Sequence, residues 1–324
     1  MKVFIIGAGF TKALFPEAPL NRDLLGVLGR EATDSASYEL IRRYHTDNIE
    51  IALTNLDADM ASSKTSLKQQ DNELFELRRR IEAELGKYFE SYRASNELLS
   101  SLTWLRQFVD QAVSAGDTVI SLNYDCVFEG ALDCCNKWSP NGGYGFLSNP
   151  LISDKEEIRS PVVVLKIHGS ASFRIAPYLD KPGSSAVNFA VNERFFPRSG
   201  KNRHFEYGMG IGDSYLIAPS YVKVPTVEIT YLMLDALKAV ANAETLIIIG
   251  CGLRPEDMFL TLLVTDFLRQ PRWPERRIIV LDPEAEVIIS RIKAYWGVDV
   301  SCCMVPIQGC LQNSVGALLE AIQT

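Results

Sequence analysis

The chain opens with an apolar segment that runs directly into a glycine-rich turn. Residues 2–12 read KVFIIGAGFTK, and the apolar run predicts Lys2–Ile6 as a buried strand of a parallel sheet. Gly7, Ala8 and Gly9 form the turn, where the missing Cβ atoms let backbone N–H groups approach a phosphate. The segment therefore predicts an α/β fold in which the first strand ends at a nucleotide site.

Length and charge narrow the class of protein. The chain has 324 residues, of which 47% are hydrophobic, so it can bury one large α/β domain or two modest ones. Its formal charge is -7, with 33 Lys and Arg against 40 Asp and Glu. Because sequence-independent binding to nucleic acid depends on dense positive charge, we expect no direct nucleic-acid binding.

The cysteines and the apolar runs indicate the compartment. None of the seven cysteines lies in a C-x-x-C pair, and Cys134–Cys135 and Cys302–Cys303 are immediate neighbours, which is not zinc-ribbon spacing. We expect reduced, mostly buried thiols and no bound metal. No apolar run approaches the length of a membrane span, and the first one is too short for a signal-peptide core. We therefore expect a cytoplasmic protein without a membrane partner.

A long helical stretch separates the first strand from the second. Residues 35–115 are polar, charged and helix-periodic, and no strand is predicted among them. Apolar side chains recur at helical spacing in this stretch, at Leu74, Leu77, Ile81, Leu85 and Phe89. We expect the neighbouring Arg78–Arg80 run to be a solvated face and Asp57–Asp71 to be a loop.

The rest of the chain alternates between apolar strands and amphipathic helices. Further strands are predicted at Thr118–Leu122, Val162–Ile167, Tyr215–Ile217, Thr245–Ile249, Arg277–Leu281 and Val298–Met304. Helices are predicted at Phe10–Phe15, Asn21–Leu28, Val127–Asn136, Val227–Asn242, Glu256–Arg269, Glu284–Trp296 and Leu311–Ile322. This alternation is typical of βαβ units and predicts an α/β fold with a Rossmann-like, doubly wound parallel sheet.

Domain organisation follows from the same pattern. We expect residues 1–34 and 116–324 to form the Rossmann-like domain and residues 35–115 to form a helical insertion packed on it. Residues 171–213 contain several Gly, Pro and aromatic residues and are predicted to be an irregular lid or insertion. The segment SPNGGYG, Ser139–Gly145, is predicted to be a loop.

Polar and glycine residues follow five of the predicted strands. They are Gly7–Thr11, Asn123–Asp125, His168–Gly169, Gly250–Gly252 and Asp282. Because ligands of an open parallel sheet bind outside the carboxyl ends of its strands, these residues are expected to meet at one edge. The set suits a dinucleotide, with chemistry at one end of it. The common G-x-G-x-x-G fingerprint is not matched, since Lys12 stands at the third glycine position.

Four motifs in order, GAGFT, SLNYD, KIHGS and IIGCGLRPED, resemble the sirtuin-like NAD-consuming family. Within that family, the chain more closely resembles the zinc-free sirtuin-like proteins of bacterial antiviral defence, which act as NAD glycohydrolases. The resemblance covers the sheet-forming parts of the chain, and residues 35–115 match only in general character. It implies a sirtuin-like fold without a zinc module, NAD as substrate and no metal.

The resemblance also implies residue roles. Catalysis is expected at Asn123, His168 and Asp125. NAD binding is expected at Gly7, Ala8, Gly9, Phe10 and Thr11 around the pyrophosphate, at Gly250, Cys251 and Gly252 in a second phosphate and ribose loop, and at Asp282 beside the adenosine ribose. Leu122 replaces the Gln that precedes this Asn in deacylases. Two absences weaken a deacylase interpretation: the four-cysteine zinc module of deacylases has no matching spacing here, and Arg22 is a poor counterpart of their arginine-bearing segment.

Each of these residues also has a structural explanation. Asn123 could cap the helix that follows, Asp125 could be that helix's first-turn acid, and Asp282 could be an N-cap before Pro283. Cys251 could be a packed small residue. The chain has 3 histidines, and the other two, His45 and His204, lie in polar contexts and are not expected to be functional.

Three hypotheses for function remain open. The first is a regulated antiviral-defence NAD glycohydrolase, for which the resemblance implies a homo-oligomer and a defence partner protein or trigger. The second is an NAD-dependent protein deacylase or ADP-ribosyltransferase, which needs a groove for its protein substrate beside residues 171–213. The third is a non-catalytic, nucleotide-binding regulatory subunit.

Overall fold

The computed structural model describes residues 1–31, 35–63, 70–146, 160–175, 189–191, 195–196, 214–221, 227–254, 257–269, 275–296 and 303–324. The strands are β1 (Lys2–Ile6), β2 (Thr118–Ser121), β3 (Val163–Lys166), β4 (Gly169–Ile175), β5 (Phe189–Val191), β6 (Ser214–Leu216), β7 (Thr245–Ile249), β8 (Arg277–Asp282) and β9 (Met304–Gln308). Six of them form one parallel sheet in the order β3-β2-β1-β7-β8-β9. The predicted Rossmann-like parallel sheet is confirmed.

Thirteen helices are described. They are α1 (Ala8–Leu14), α2 (Asn21–Glu31), α3 (Ala36–Tyr44), α4 (Ile49–Ser63), α5 (Gln70–Phe89), α6 (Asn96–Ser101), α7 (Thr103–Ala112), α8 (Val127–Cys134), α9 (Pro140–Gly143), α10 (Val227–Asn242), α11 (Met258–Arg269), α12 (Ala285–Trp296) and α13 (Leu311–Gln323). Side chains cap the starts of α3, α4 and α6: Ser35 accepts from the N–H of Tyr38, Asn48 from those of Glu50 and Ile51, and Ser95 from that of Leu98. In this described part of the chain, no helix could cross a membrane.

The central strands are buried on both faces. Val3–Ile6 in β1 and all of β7 are inaccessible to solvent or nearly so, as expected for parallel strands covered by helices on both sides. Helices α10, α11 and α12 pack in sequence, while α7 packs on α13 and α8. The central strands of the sheet therefore lie between helices.

The three remaining strands form a small antiparallel sheet in the order β5-β4-β6. The prediction that residues 171–213 are irregular is therefore wrong for 171–175 and 189–191, and the rest of that segment lies outside the described residues. Tyr215–Ile217 was predicted as a strand, and β6 lies there, but it pairs in this small sheet. Strands β5 and β6 have three residues each, which is too short for an alternating pattern in the sequence to reveal that they pair with β4.

Other boundaries differ from the predictions. Asp57–Asp71 was predicted as a loop, but α4 continues to Ser63 and α5 begins at Gln70. The last strand covers Met304–Gln308, whereas 298–304 was predicted, and residues 298–302 lie outside the described part. Pro140–Gly143 forms a short helix inside the predicted loop, with Pro at its start.

Helices α2 to α5 surround a second apolar cluster. The α5 residues Leu74, Leu77, Ile81 and Leu85 are buried in it, so the predicted amphipathic helix is confirmed. Tyr124 and Leu216, which come from the sheet regions, also belong to this cluster. In the arginine run, Arg79 and Arg80 are exposed as predicted, but Arg78 is 15% exposed and lies 3.4 Å from Asp57.

A buried polar contact attaches the small sheet to α5. Arg174 in β4 donates to Glu90 at 2.5 Å and to the Ser214 hydroxyl at 2.8 Å. Gly86 in α5 packs on the same serine so closely that an added Cβ would lie 2.6 Å from the Ser214 Cβ. The small sheet and α5 therefore meet backbone against side chain with no room for a methyl group.

We predict opposite effects of two glycine-to-alanine changes inside helices. Gly86→Ala should lower the free energy of unfolding by about 1–3 kcal/mol, because the methyl group overpacks the contact with Ser214. The matched control is Gly26→Ala in α2, where an added Cβ meets nothing within 4 Å. Because alanine is the better helix former, this control should raise the free energy of unfolding by about 0.5–1 kcal/mol. Urea denaturation measures both, and equal shifts would contradict the packing described.

Candidate functional site

The candidate site begins where β1 and β7 meet. Strand order runs outwards from β1 to β2 and β3 and then restarts on the other side of β1 with β7. Ligands of open α/β sheets bind beyond the carboxyl ends of the strands at such a switch point. The glycine turns Gly7–Gly9 and Gly250–Gly252 follow β1 and β7, and both therefore lie at this point.

These two glycine turns pack backbone against backbone. The Gly7 N–H donates to the Ile249 carbonyl at 3.1 Å, and the Gly9 N–H donates to the Gly250 carbonyl at 3.0 Å. A Cβ on Gly9 would lie 2.6 Å from the Gly250 Cα, and a Cβ on Gly250 would lie 2.6 Å from the Phe10 nitrogen. Gly250 also has a φ of 57°, which favours glycine. The fold itself needs these glycines, and the amides of Gly7 and Gly9 are already engaged.

Asn123 follows β2, and its side chain reaches the first glycine turn. Its Nδ2 donates to the Gly7 carbonyl at 3.0 Å and to the Thr11 hydroxyl at 3.1 Å. Because a backbone carbonyl only accepts hydrogen bonds, the contact with Gly7 fixes which way the amide points and leaves Oδ1 as an acceptor. Both described hydrogen bonds of this side chain go to the glycine turn, and neither caps α8.

Asp125 connects the same turn to α8. Its Oδ2 accepts a hydrogen bond from the Thr11 hydroxyl at 2.7 Å, and its Oδ1 accepts from the N–H of Val127 at 3.1 Å. The alternative role at the start of the helix is thus filled, but by an acid that also orients Thr11. Since the Thr11 hydrogen is donated to Asp125, it does not point at a phosphate in this arrangement. Asn123, Asp125 and Thr11 form one buried polar group.

Tyr124, between these two polar residues, points the other way into the cluster of α2 to α5. Its ring centroid lies 5.3 Å from that of Phe89, and its hydroxyl donates to the Ile217 carbonyl at 2.7 Å. Burial is the main reason that the pKa of Tyr124 lies well above its ordinary value, so the phenol keeps its hydrogen for this bond. Tyr124 therefore holds the turn after β2 on one side, while Asn123 and Asp125 hold it on the other.

His168 lies where the chain leaves the parallel sheet for the small sheet. Its carbonyl accepts a hydrogen bond from the Ile217 N–H at 2.9 Å, and its side chain is 13% exposed. Gly169 follows with a φ of 77°, and a Cβ there would lie 2.5 Å from the Tyr215 carbonyl oxygen. The glycine is required by this close approach of β4 to β6. His168 is thereby held at the same edge of the sheet as Asn123.

Asp257, which the sequence analysis did not single out, lies beside His168. Its Oδ2 is 3.4 Å from the His168 Nε2, and its side chain is 15% exposed. The residue directly precedes α11, in the motif GLRPED after β7. An acidic residue at the start of a predicted helix, just after one of the five strand ends, could have marked Asp257 as a candidate site residue.

A buried ion pair below the site was also missed. Lys166, two residues before His168, lies 3.0 Å from Glu129 and donates to the Asp125 carbonyl at 2.5 Å. The two side chains are 0% and 1% exposed, respectively. Burial by itself lowers the pKa of a lysine, but the Glu129 carboxylate above all reverses this, and the pKa of Lys166 is raised. This lysine joins β3 to the Asn123–Asp125 turn.

The other predicted NAD-binding residues lie in different environments: some belong to the core, and others cap or start a helix. Phe10 is fully buried, with its ring centroid 5.1 Å from that of Phe128, so its side chain belongs to the core and not to the site surface. Burial raises the pKa of the Cys251 thiol to about 12, so this cysteine is a packed, protonated residue. Asp282 accepts a hydrogen bond from the Glu284 N–H at 2.8 Å, as expected from the alternative in which Asp282 caps the following helix. Ala8 is the first residue of α1.

The structure thus brings two of the predicted strand ends, those after β1 and β2, together in one polar group, and the turn after β7 packs on the first of them. His168 follows the adjacent strand β3 and lies beside Asp257. Such a group can hold a sugar, orient a water through the Asn123 amide oxygen and accept a proton at the imidazole. Across the described ranges, with their gaps, no group of three or more His, Cys, Asp or Glu side chains is arranged to hold a metal ion. His45, for comparison, is exposed at the end of α3.

Comparison with known proteins gives similarity in structure only. The sequence matches no protein-family model and no curated protein. A mutant Sir2 homologue bound to 2'-O-acetyl ADP ribose has 14% identity and a TM-score of 0.44, covering 99% of this chain and 91% of that one. Sir2 bound to a p53 peptide and NAD+ has 8% identity and a TM-score of 0.38, covering 100% and 93%. Similarity at this level does not assign the chain to a family or an activity.

We predict that the two glycines of the second turn differ sharply in tolerance. Gly250→Ala should lower the free energy of unfolding by about 3 kcal/mol or more, because it combines a left-handed backbone with a clash against Phe10. Gly252→Ala is the control, since the nearest atom to its added Cβ lies 3.7 Å away. That variant should stay within about 0.5 kcal/mol of the wild type in urea denaturation. Similar losses in both variants would contradict the backbone packing.

A second prediction concerns the buried ion pair. Lys166→Met should lower the free energy of unfolding by about 3–5 kcal/mol, because it leaves the Glu129 carboxylate buried without its partner. Combining it with Glu129→Leu removes the unpaired charge and should recover most of that loss. A double-mutant cycle in urea measures the coupling, and additive effects of the two changes would show that the pair is not coupled.

Proposed function

We propose that this protein is an NAD glycohydrolase, which cleaves NAD to nicotinamide and ADP-ribose. The observation that supports the proposal is that Asn123 and Asp125, which follow β2, bond to residues that follow β1 at the switch point of the parallel sheet. His168 follows β3, the parallel neighbour of β2, at the same end of the sheet. The motifs GAGFT, SLNYD and KIHGS, which hold these residues, also carry the resemblance to zinc-free sirtuin-like NAD glycohydrolases.

The reaction asks for the chemistry that this group can provide. Cleavage breaks the bond between the nicotinamide nitrogen and C1′ of the ribose, and the electron pair leaves with neutral nicotinamide. The sugar becomes oxocarbenium-like, a water adds at C1′, and one proton is released. An enzyme therefore needs to hold the sugar, stabilise its developing charge and position a water, with little covalent machinery.

Each polar residue has a role that fits its contacts. The Asn123 amide oxygen orients the water without carrying a charge, since its nitrogen is engaged by Gly7 and Thr11. The His168 imidazole acts as general base. Asp125 fixes the turn through Thr11, and its carboxylate oxygens keep lone pairs for the N–H groups of the nicotinamide carboxamide.

The glycine turns make room for the pyrophosphate. Because the amides of Gly7 and Gly9 are donated to the β7 side, their role is to let the two backbones and the pyrophosphate approach closely. Asp282 keeps one carboxylate oxygen for a ribose hydroxyl, since its other oxygen accepts from Glu284. Asp282 ends β8, next to β7 in the sheet, on the adenosine side of this arrangement.

We also propose that the NAD glycohydrolase activity is regulated. An unrestrained NAD glycohydrolase would exhaust the NAD of its cell, so the activity is held back until a trigger acts. The resemblance supports an antiviral-defence effector in the cytoplasm, a homo-oligomer and a defence partner protein that provides the trigger.

The test is incubation of the purified full chain with NAD, alone and with candidate activators, followed by chromatography of the products. We expect nicotinamide and ADP-ribose in equal amounts. His168→Ala and Asn123→Ala should each lower kcat/KM by about a hundredfold or more, as expected for loss of a general base or a water-orienting group. The control His45→Ala changes an exposed histidine outside the site and should leave the rate unchanged.

Two results would overturn this proposal. No release of nicotinamide under any condition, with NAD still bound, would favour a nucleotide-binding regulatory subunit. Formation of O-acyl-ADP-ribose from an acyl-lysine peptide, or of ADP-ribosylated protein, in place of free ADP-ribose would show that NAD serves as a co-substrate of group transfer.

A further inference from the structure

Asp257 is held firmly at the start of α11. Its N–H donates to the Arg254 carbonyl at 3.0 Å, and its own carbonyl accepts from the Thr261 N–H at 3.3 Å, which is the bond of an N-cap residue. Its side chain is 15% exposed, and its Oδ2 lies 3.4 Å from Nε2 of His168. The backbone thus aims a carboxylate at the imidazole from the β7 side of the site.

The negative charge of Asp257 affects the pKa values of two residues at neighbouring turns, Cys251 and Tyr124. At Cys251 burial is the main cause of the raised pKa, and Asp257 adds to it. At Tyr124 burial again dominates, and Asp257 is one of the acids that raise the pKa further. The carboxylate is therefore near enough to affect groups that follow β2 and β7, and it lies beside His168, which follows β3.

Other charged side chains at this edge have partners of their own. Asp125 accepts from Thr11 and Val127, as described above. Glu50 accepts from Asn21 at 3.0 Å and lies 3.5 Å from Arg254, whose side chain is 48% exposed. Among the contacts of the described residues, Asp257 is the carboxylate placed within ion-pair distance of His168.

We propose that Asp257 is a positioning residue for His168, a role that rests on the proposed function. Since a carboxylate only accepts hydrogen bonds, it keeps the hydrogen of the neutral imidazole on Nε2 and leaves Nδ1 to take a proton from the attacking water. When that proton arrives, the imidazolium lies beside a negative charge. Asp257 acts on the reaction through His168.

The variant Asp257→Asn separates charge from structure. Asparagine caps helices as well as aspartate does, so α11 keeps its start while the negative charge is lost. Asp257→Ser is a second charge-free variant that keeps a capping oxygen, and Asp257→Glu restores the charge. Asp235→Asn, on the exposed side of α10, is the matched control for an Asp-to-Asn change away from the site.

The first readout is the NMR titration of the histidine imidazoles in the full chain without NAD. The chain has 3 histidines, so the His168 signal can be assigned from His168→Ala. Because a nearby carboxylate favours the protonated imidazole, the His168 midpoint should move to lower pH in Asp257→Asn and Asp257→Ser. It should return towards the wild-type value in Asp257→Glu and stay unchanged in Asp235→Asn. An unchanged His168 midpoint in a folded charge-free variant would overturn the proposal.

The second readout is NAD cleavage as a function of pH. In Asp257→Asn, kcat/KM should fall about tenfold at neutral pH, as is typical for a partner that orients a functional histidine. The acidic limb of the profile should move to lower pH together with the imidazole titration. A lower rate with an unmoved limb would overturn the positioning role. If wild-type protein shows no cleavage, the proposed function fails, and the imidazole titration alone decides whether the two side chains are paired.

Discussion

The candidate site depends on the contact between two glycine turns at the centre of the sheet. The amides of Gly7 and Gly9 donate to β7 and to the turn that follows it, and Gly7, Gly9 and Gly250 leave no space for a Cβ atom. This contact holds the two strands at the switch point in register at their carboxyl ends. Asn123 is placed relative to this contact by its hydrogen bond to the Gly7 carbonyl, and Asp257 by its position after the second turn.

Hydrogen bonds between polar side chains connect the first glycine turn to the residues that are proposed to take part in catalysis. Asn123 and Asp125 are held against the first turn through Thr11, and Lys166 joins the same stretch to the strand that ends at His168. Because Lys166 and Glu129 are buried together, neither can move without leaving a charge unpaired. The site is therefore rigid at its base, while the side chains of His168 and Asp257 remain partly open to solvent.

Local sequence patterns predicted much of this arrangement and none of its long-range pairing. Val227–Asn242 and Thr245–Ile249 match their predictions to the residue, because long apolar periodicity decides element type and extent. The convergence of strand ends followed from the parallel sheet alone. The small sheet, the Lys166–Glu129 pair and the Asp257–His168 contact could not be predicted, since each joins residues that are distant in sequence and depends on register.

The central claim is that the nicotinamide ribose binds between Asn123 and His168. A crystal structure of the protein with a carbocyclic NAD analogue, which resists cleavage, tests it most directly. We expect the pyrophosphate against the Gly7–Gly9 turn, the ribose-equivalent ring within hydrogen-bond distance of both side chains, and the carboxamide near Asp125. An analogue bound elsewhere on the protein, or with its adenine end between Asn123 and His168, would show that this binding mode is wrong.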